Sequence, residues 1–212
     1  MAEAREAPAH RTVVITDCDF GTGEIEQGIL ADHRLTVSLA QARTQAEVIA
    51  AAHGAVGLLV QYAPVTAAVL DALPTVQAVV RYGVGLDTID RAAADQRGVL
   101  VSGVTDYCTD EVADHCLGLI LCCLRSIASA DADIKRGGWP TPTELPRLSR
   151  MRGTTIGLLG FGRTARALTS RLIACGAVVH AHDPHVAAAE IAAHGALPAA
   201  YQDVVGCDVV SL

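Results

Sequence analysis

Two hydrophobic patterns alternate along most of the chain. Short runs of consecutive apolar residues, rich in Val, Leu and Ile, are separated by longer segments whose apolar residues recur every three or four positions. The first pattern is typical of strands covered on both faces, and the second of amphipathic helices. Strands are predicted over residues 12–16, 35–39, 55–60, 76–81, 99–101, 155–159, 177–182 and 207–212. Helices are predicted over residues 44–53, 65–72, 88–97, 109–130, 163–174, 186–194 and 200–205.

The alternation of strands and helices predicts an α/β fold with parallel sheets, because a helix between two strands returns the chain to the same end of a sheet. A connection over residues 137–153 interrupts the rhythm after the longest predicted helix. We therefore expect two α/β units, over residues 12–103 and 104–212, joined through the helix at 109–130. Residues 1–11, which have no apolar pattern, are expected to form a frayed tail.

Composition and charge exclude several classes of function. The 212 residues are 51% hydrophobic and 3% aromatic, and the net charge is -7 at pH 7. A chain with this apolar content folds, whereas its negative charge and scarce aromatic residues argue against a nucleic-acid partner. The longest apolar stretch, residues 116–124, is shorter than the ~20 residues that a membrane-spanning helix requires. No membrane partner is expected.

The cysteines and histidines offer weaker signals. The seven cysteines show no C-x-x-C spacing and no secretory signal precedes them, so we expect reduced thiols in a cytoplasmic protein. Cys108 precedes a predicted helix N-terminus and is a candidate reactive thiol. His180, His182 and His185 raise a metal site as an alternative, but the neighbouring Asp183 has another role, given below, and no metal is expected. Trp139 is expected to pack beneath the connection.

The strongest motif is a glycine-rich turn after the strand predicted over residues 155–159. Gly160, Gly162 and Ala165 fit the G-x-G-x-x-G/A fingerprint, whose small residues permit a tight turn and close approach of a pyrophosphate. The following helix would direct amide hydrogens at the phosphates. Asp183 ends the next strand, 23 residues after Gly160, near the spacing of a carboxylate that binds an adenosine ribose. The pattern predicts a dinucleotide site, and an ordinary strand–helix turn is the alternative. NAD is expected to be preferred over NADP, because Asp183 would repel the 2′-phosphate of NADP.

A second glycine pair follows the strand predicted over residues 76–81. Gly83 and Gly85 flank a single residue, an arrangement that exposes successive backbone amides and can bind an anion such as a carboxylate. On local grounds alone, a sharp turn with no ligand explains the pair equally well.

Taken together, several segments resemble the D-isomer-specific 2-hydroxyacid dehydrogenases. In chain order they are Arg81–Asp90 (RYGVGLDTID), Thr109–His115 (TDEVADH), Gly138–Trp139, Arg152–Gly153, Gly157–Arg163 (GLLGFGR), His182–Pro184 (HDP) and Asp208–Leu212 (DVVSL). The resemblance extends from about residue 12 to residue 212. It implies a flavodoxin-like substrate domain followed by a partial Rossmann domain, a doubly wound parallel sheet that binds NAD.

The resemblance also implies roles for individual residues. The substrate loop would comprise Tyr82, Gly83, Val84 and Gly85. The amides of the last two would bind the carboxylate of a small 2-oxo or 2-hydroxy acid. The cofactor-binding residues would be Gly160, Phe161, Gly162, Arg163, Thr164 and Asp183. The sequence departs from the family pattern at Thr88, where an Asn is usual, and at Ala165, where a Gly is usual.

The implied activity is the NAD-dependent interconversion of a small 2-oxo acid and its D-2-hydroxy acid, in a homodimer or higher homo-oligomer. In this family the catalytic Arg, Glu and His lie beyond the fourth strand of the Rossmann domain. We expect the chain to stop at Leu212 before them, and no catalytic residue is assigned. The alternative is a truncated pseudoenzyme that acts as a binding or regulatory protein, or a cofactor-independent catalyst at the old carboxylate site.

Overall fold

The computed structural model describes residues 11–146 and 148–212, which form two compact α/β units. The first unit ends at Tyr107 and the second begins at Cys108. The tail expected over residues 1–11 lies outside the described residues, except for Arg11, which begins the first strand.

The described part of the first unit contains one five-stranded parallel sheet. Its strands are β1 (Arg11–Ile15), β2 (Leu35–Leu39), β3 (Gly57–Val60), β4 (Ala78–Arg81) and β5 (Leu100–Gly103). Its helices are α1 (Glu24–Ala31), α2 (Gln45–Ala51), α3 (Ala67–Ala72) and α4 (Arg91–Gln96). The strand order is β2-β1-β3-β4-β5, with every neighbouring pair parallel. The carboxyl ends of all five strands therefore lie at one edge of the sheet.

Capping residues determine where the helices of this unit begin. Thr44 forms a capping box with Glu47 at the start of α2, and Thr66 accepts a hydrogen bond from the Val69 amide at the start of α3. Asp90 caps α4 in the same way, so this helix begins at Arg91. The apolar pattern predicts a start at residue 88, three residues too early. Small aliphatic side chains fill the core, and five of them are at most 2% exposed: Val14, Val48, Leu58, Val69 and Val79.

The second unit contains a four-stranded parallel sheet within its described residues. Its strands are β6 (Thr155–Leu159), β7 (Val178–His182), β8 (Leu197–Pro198) and β9 (Val209–Ser211), in the order β8-β7-β6-β9. Its helices are α5 (Thr109–Leu124), α6 (Ile127–Lys135), α7 (Arg163–Ala174), α8 (Ala188–Ala193) and α9 (Tyr201–Val205). A second hydrophobic core includes Ile156, Leu158, Phe161, Leu168 and Leu172.

The single helix predicted over residues 109–130 is wrong. α5 ends at Leu124, Ser126 adopts the left-handed conformation with φ of 50°, and α6 continues at 66° to α5. The apolar spacing continues through the break, so periodicity could not locate it. Within residues 11–146 and 148–212, no single helix is long and apolar enough to cross a membrane. Taken together, the bent pair α5 and α6 reaches the required length and apolar composition.

Several large apolar side chains of the second unit are exposed. α5 buries Ala113, Ile120 and Leu124, yet Val112 and Leu119, which flank this buried face, are 42% and 54% exposed. Trp139 is 86% exposed, so the expectation that it packs beneath the connection is wrong.

Two elements were not predicted from the sequence. They are the helix α1, which contains no buried residue, and the two-residue strand β8. Neither buries a regular apolar pattern, so the alternation of hydrophobic patterns does not indicate them.

Candidate functional site

The glycine turn after β6 opens directly into α7. Gly160 has φ of +93°, in the region that favours glycine, and its amide donates to the carbonyl of His182 over 2.8 Å. Gly162 caps α7 and is exposed, with nothing within 4 Å of the place where a Cβ would lie. In the described part of the chain, no acceptor is bonded to the amides of Gly162, Arg163 or Thr164. These amides are therefore available to an anion.

Phe161, between the two glycines, fixes the turn from the protein side. Its ring is fully buried and makes an edge contact with His194, with centroids 5.7 Å apart. The Arg166 guanidinium lies 5.7 Å from the centre of the ring, and its Nε donates to the Phe161 carbonyl over 3.0 Å. A second bond holds Arg166 itself, whose Nη1 lies 2.7 Å from Oε1 of Glu190. These contacts attach the turn to α7 and α8.

Asp183 follows β7, and its side chain binds the backbone of the same glycine turn. Its Oδ2 accepts a hydrogen bond of 2.7 Å from the Phe161 amide, and its Oδ1 accepts one of 2.8 Å from the His185 amide. These two backbone hydrogen bonds, first that of Phe161, lower the pKa of Asp183. A carboxylate oxygen has a second lone pair, so Asp183 can still accept bonds from ribose hydroxyls.

The six predicted cofactor residues therefore come together at the carboxyl edge of the second sheet. Free amides lie at the N-terminus of a 12-residue helix, and a charged carboxylate lies at the end of the adjacent strand. This donor set fits a dinucleotide, in which a pyrophosphate and a ribose diol require these two kinds of partner. The contact between Asp183 and the Phe161 amide was not predicted, because it joins residues 22 positions apart in the sequence.

The second glycine pair lies at the carboxyl edge of the first sheet, directly after β4. Arg81 fixes this loop: its Nη1 donates to the Gly85 carbonyl over 2.7 Å and its Nε to the Gln61 carbonyl over 3.1 Å. The Val104 amide donates to the Gly83 carbonyl over 3.1 Å. The amides of Val84 and Gly85 are bonded to no acceptor among residues 11–146 and 148–212, and both residues are exposed. They form a pair of free donors.

Close packing explains why glycine lies in the loop and at the end of β5 beside it. A Cβ on Gly83 would lie 2.7 Å from Arg81 Nη1, and one on Gly103 would lie 2.6 Å from the Gly83 carbonyl oxygen. Real side chains do not approach backbone oxygens this closely, so β5 and the loop can lie together only with glycine at position 103.

Asp17, which was not predicted from the sequence, organises the neighbouring loop. It follows β1, is fully buried, and accepts hydrogen bonds from the amides of Gln61, Tyr62 and Ala63 over 3.2, 2.8 and 3.1 Å. The Thr16 hydroxyl donates a fourth bond. An Asp at the end of a predicted strand was the available signal. Through Asp17 and Arg81, the loops after β1, β3 and β4 form one connected edge.

Tyr82 anchors the start of the candidate carboxylate loop. Its hydroxyl donates to Oε1 of Glu26 on α1 over 2.7 Å, and its ring makes an edge contact with Phe20, with centroids 6.2 Å apart. Burial, followed by the hydrogen bond and charge of Glu26, raises the pKa of Tyr82. A cavity of about 270 Å³ lies beside this contact and is lined by Cys18 and residues 20–26.

The metal alternative gains no support from the geometry, and the reactivity of Cys108 stays a prediction. Among the described residues, no group of three His, Cys, Asp or Glu side chains is placed to hold a metal ion. His182 Nδ1 lies 3.1 Å from the Ala199 carbonyl, and its ring packs against Tyr201. Cys108 caps α5 in the left-handed conformation and is partly buried.

The chain is similar in sequence and in fold to known proteins. Residues 13–206 match the family model described as D-isomer specific 2-hydroxyacid dehydrogenase, catalytic domain. The chain is 37% identical over 168 residues to D-3-phosphoglycerate dehydrogenase of Mycobacterium leprae, which is 78% of this chain and 31% of that protein. It spans about a third of the length of the curated relatives that it matches.

Two solved structures illustrate the shared fold. The TT0316 protein from Thermus thermophilus is 28% identical and has a TM-score of 0.79, over 95% of this chain and 64% of that chain. D-lactate dehydrogenase from Aquifex aeolicus, complexed with NAD and lactic acid, is 21% identical and has a TM-score of 0.83, over 95% of this chain and 60% of that chain.

Proposed function

Because the chain belongs to the D-isomer-specific 2-hydroxyacid dehydrogenase family, we propose that the protein is an NAD-dependent oxidoreductase that interconverts a small 2-oxo acid and its D-2-hydroxy acid. The observation that carries this proposal is the combination of free amides at Gly162, Arg163 and Thr164 with the Asp183 carboxylate beside them. NAD, when bound, supplies the hydride acceptor or donor of the reaction.

The second unit is proposed as the first part of a Rossmann domain that binds this cofactor. Counted within that unit, its strand order is 3-2-1-4, and its glycine turn lies after the first strand, where such domains bind a pyrophosphate. The amides of Gly162 and Arg163 would bind the pyrophosphate, and Asp183 the adenosine ribose. Since Asp183 is ionised at neutral pH, it would repel a 2′-phosphate, which supports NAD over NADP.

The first unit is proposed as a flavodoxin-like substrate domain, in keeping with its strand order of 2-1-3-4-5. The amides of Val84 and Gly85 would bind the carboxylate of the 2-oxo acid, and Arg81 holds the loop in place. These contacts orient the substrate and leave its carbonyl free to react. No residue of this chain is assigned to proton transfer.

A homodimer is proposed to form through the second unit. Five large apolar side chains on α5, on α6 and after α6 are at least 42% exposed; they are Val112, Leu119, Ile127, Ile134 and Trp139. Val112 and Leu119 are seven residues apart and so share one face of α5. An apolar surface of this kind on a folded domain usually marks an interface, and symmetric homodimers are the commonest assembly.

The seven unbridged thiols support a reducing, cytoplasmic compartment.

Titration of NADH fluorescence with the purified protein tests the cofactor assignment. We expect a saturable one-site curve, and we expect Gly162→Val to weaken binding by about tenfold or more, because its side chain would occupy the space that the pyrophosphate requires. This variant should fold normally, since nothing lies within 4 Å of a Cβ at that position. Gly118→Ala, in an equally open position of α5, is the matched control and should bind as the unchanged protein does.

Turnover assays then separate the two functional hypotheses. Glyoxylate, hydroxypyruvate and phenylpyruvate are tested as substrates with NADH. Oxidation of NADH supports the dehydrogenase, whereas saturable NADH binding without turnover supports the pseudoenzyme. The absence of saturable NADH binding would contradict the cofactor assignment itself.

A further inference from the structure

The helix α1 is attached to its unit by polar contacts more than by a buried face. None of its eight residues is buried, and Ile25 is 77% exposed. Oε1 of Gln27 accepts a hydrogen bond of 2.8 Å from the Val37 amide in β2. Oε1 of Glu26 accepts one of 2.7 Å from the Tyr82 hydroxyl. One of these contacts secures the helix to the edge strand, and the other joins it to the candidate carboxylate loop.

The Tyr82 side chain is held on two sides. Phe20 meets its ring edge-on, and Glu26 binds its hydroxyl. The backbone of Tyr82 is fixed separately, because its amide donates to the Val60 carbonyl over 2.8 Å. Tyrosine is a phenol at neutral pH. Burial and Glu26 raise the pKa of Tyr82 further, so its hydroxyl continues to donate to the Glu26 carboxylate. A hydrogen bond to a charged acceptor is stronger than one between neutral groups.

The rest of the loop depends on its anchors. Gly83 and Gly85 flank Val84, and glycine leaves a backbone freer than any other residue. Arg81 restrains the Gly85 carbonyl and the Val104 amide restrains the Gly83 carbonyl. Tyr82 is the anchor on the N-terminal side. Two amides bind one carboxylate more tightly when both are already directed at it before binding.

We propose that Glu26 is a positioning residue for the substrate loop: by holding Tyr82, it directs the Val84 and Gly85 amides at the substrate carboxylate. This inference rests on the proposed function, which assigns those amides to the carboxylate. In this proposal Glu26 acts on the substrate only through Tyr82. Its effect passes through the Tyr82 hydroxyl to a loop 56 residues away in the sequence.

Three variants separate this role from a general effect on folding. Tyr82→Phe removes only the hydroxyl and keeps the ring against Phe20. Glu26→Ala removes the acceptor, and Glu26→Gln replaces the carboxylate with an amide oxygen that still accepts the bond. Glu24→Ala is the matched control, because Glu24 lies in the same helix and lines the same cavity.

The measurement is a titration of the ¹⁵N-labelled 212-residue protein with pyruvate, followed by the chemical shifts of the Val84 and Gly85 amides. We expect Tyr82→Phe and Glu26→Ala to raise the dissociation constant by about tenfold. Glu26→Gln should recover most of the affinity, and Glu24→Ala should leave it unchanged. Thermal unfolding should differ little between the two Glu→Ala variants, whereas hydrogen exchange at Val84 and Gly85 should accelerate only in Glu26→Ala and Tyr82→Phe.

Two different failures are distinguishable. If pyruvate shifts the two amides equally well in the unchanged protein, in Tyr82→Phe and in Glu26→Ala, Glu26 is not a positioning residue although the proposed function stands. If pyruvate leaves these amides unshifted in the unchanged protein, the assignment of the loop to the carboxylate is wrong, and the role of Glu26 fails with it.

Discussion

Asp183, the residue proposed to bind the ribose, also restrains the glycine turn through the Phe161 amide. A carboxylate that accepts backbone hydrogen bonds in the folded state has a lower pKa there than in the unfolded chain. Such a group contributes stability above the unfolded-state pKa, and that contribution is lost as the pH falls through the lower folded-state value. The pH dependence of unfolding therefore reports on this contact.

We predict that Asp183→Asn reduces the loss of stability on acidification. In the unchanged protein, protonation of Asp183 weakens its bonds to Phe161 and His185 at pH values below the ordinary range for Asp, whereas an Asn cannot titrate. Urea unfolding between pH 7 and pH 3 measures the difference. Asp95→Asn, at an exposed position of α4, is the control. If the free energy of unfolding falls equally with decreasing pH in the unchanged protein and in Asp183→Asn, the contact has no energetic role.

At the scale of elements, Gly157 determines how closely α9 approaches the second sheet. A Cβ on this residue of β6 would lie 2.3 Å from the Val204 carbonyl oxygen and 2.9 Å from Val204 Cγ1. A methyl group on residue 157 would clash with both atoms unless the helix moved. The carbonyl oxygen belongs to the backbone, and the Val204 side chain is fully buried and has no room to turn away. The packing of α9 on β6 therefore requires glycine at this position.

We predict that Gly157→Ala lowers the free energy of unfolding by about 1–3 kcal/mol, the usual cost of overpacking a core. Gly28→Ala serves as the contrast, since a Cβ there meets nothing within 4 Å and lies in α1. It should stabilise the protein by about 0.5–1 kcal/mol, because Ala favours a helix over Gly. Urea unfolding of both variants tests this difference, and equal stability of Gly157→Ala and the unchanged protein would contradict it.

Elements that bury a regular apolar pattern could be predicted from the sequence. β2, β6 and α7 have the predicted bounds, because their apolar residues form runs or stripes and Gly162 marks the start of α7. The helix α1 could not be predicted in this way. It buries no residue and is held by Glu26 and Gln27, whose partners lie in distant parts of the chain. The break at Ser126 was missed because the apolar pattern continues across it.

In the candidate sites, too, the local features could be predicted from the sequence and the distant contacts could not. Both glycine turns were located from the sequence, because a turn after a strand is a local feature with a local pattern. Asp17 and Glu26 were missed since each acts on a loop more than 40 residues away, and nothing near them in the sequence indicates the partner. The predicted residues of each turn came together in the structure, while the residues that restrain each turn had to be observed.

At the scale of the whole molecule, the exposed apolar surface of α5 and α6 leads to a prediction about assembly. We expect the purified protein to be a dimer, and we expect Leu119→Arg to make it a monomer by placing a charge at the centre of an apolar interface. Ile25→Arg, at a position of α1 that is 77% exposed, should leave the dimer intact. Light scattering coupled to size-exclusion chromatography gives the mass of each species.

A monomeric unchanged protein at micromolar concentration would contradict the proposed dimer. A dimer that survives Leu119→Arg but not Ile25→Arg would move the interface from the second unit to the first. Circular dichroism of each variant verifies that the helices are retained, so that a change in mass reports on association.

The two hydrophobic cores have no residue in common: one draws on residues between Val14 and Val99, and the other on residues between Ala113 and Ala196. A substitution in one core therefore needs no compensating change in the other. During divergence, the half proposed to select the acid and the half proposed to hold the dinucleotide can each accumulate changes at their own rate. A family built this way can acquire new substrates while its cofactor half is inherited intact.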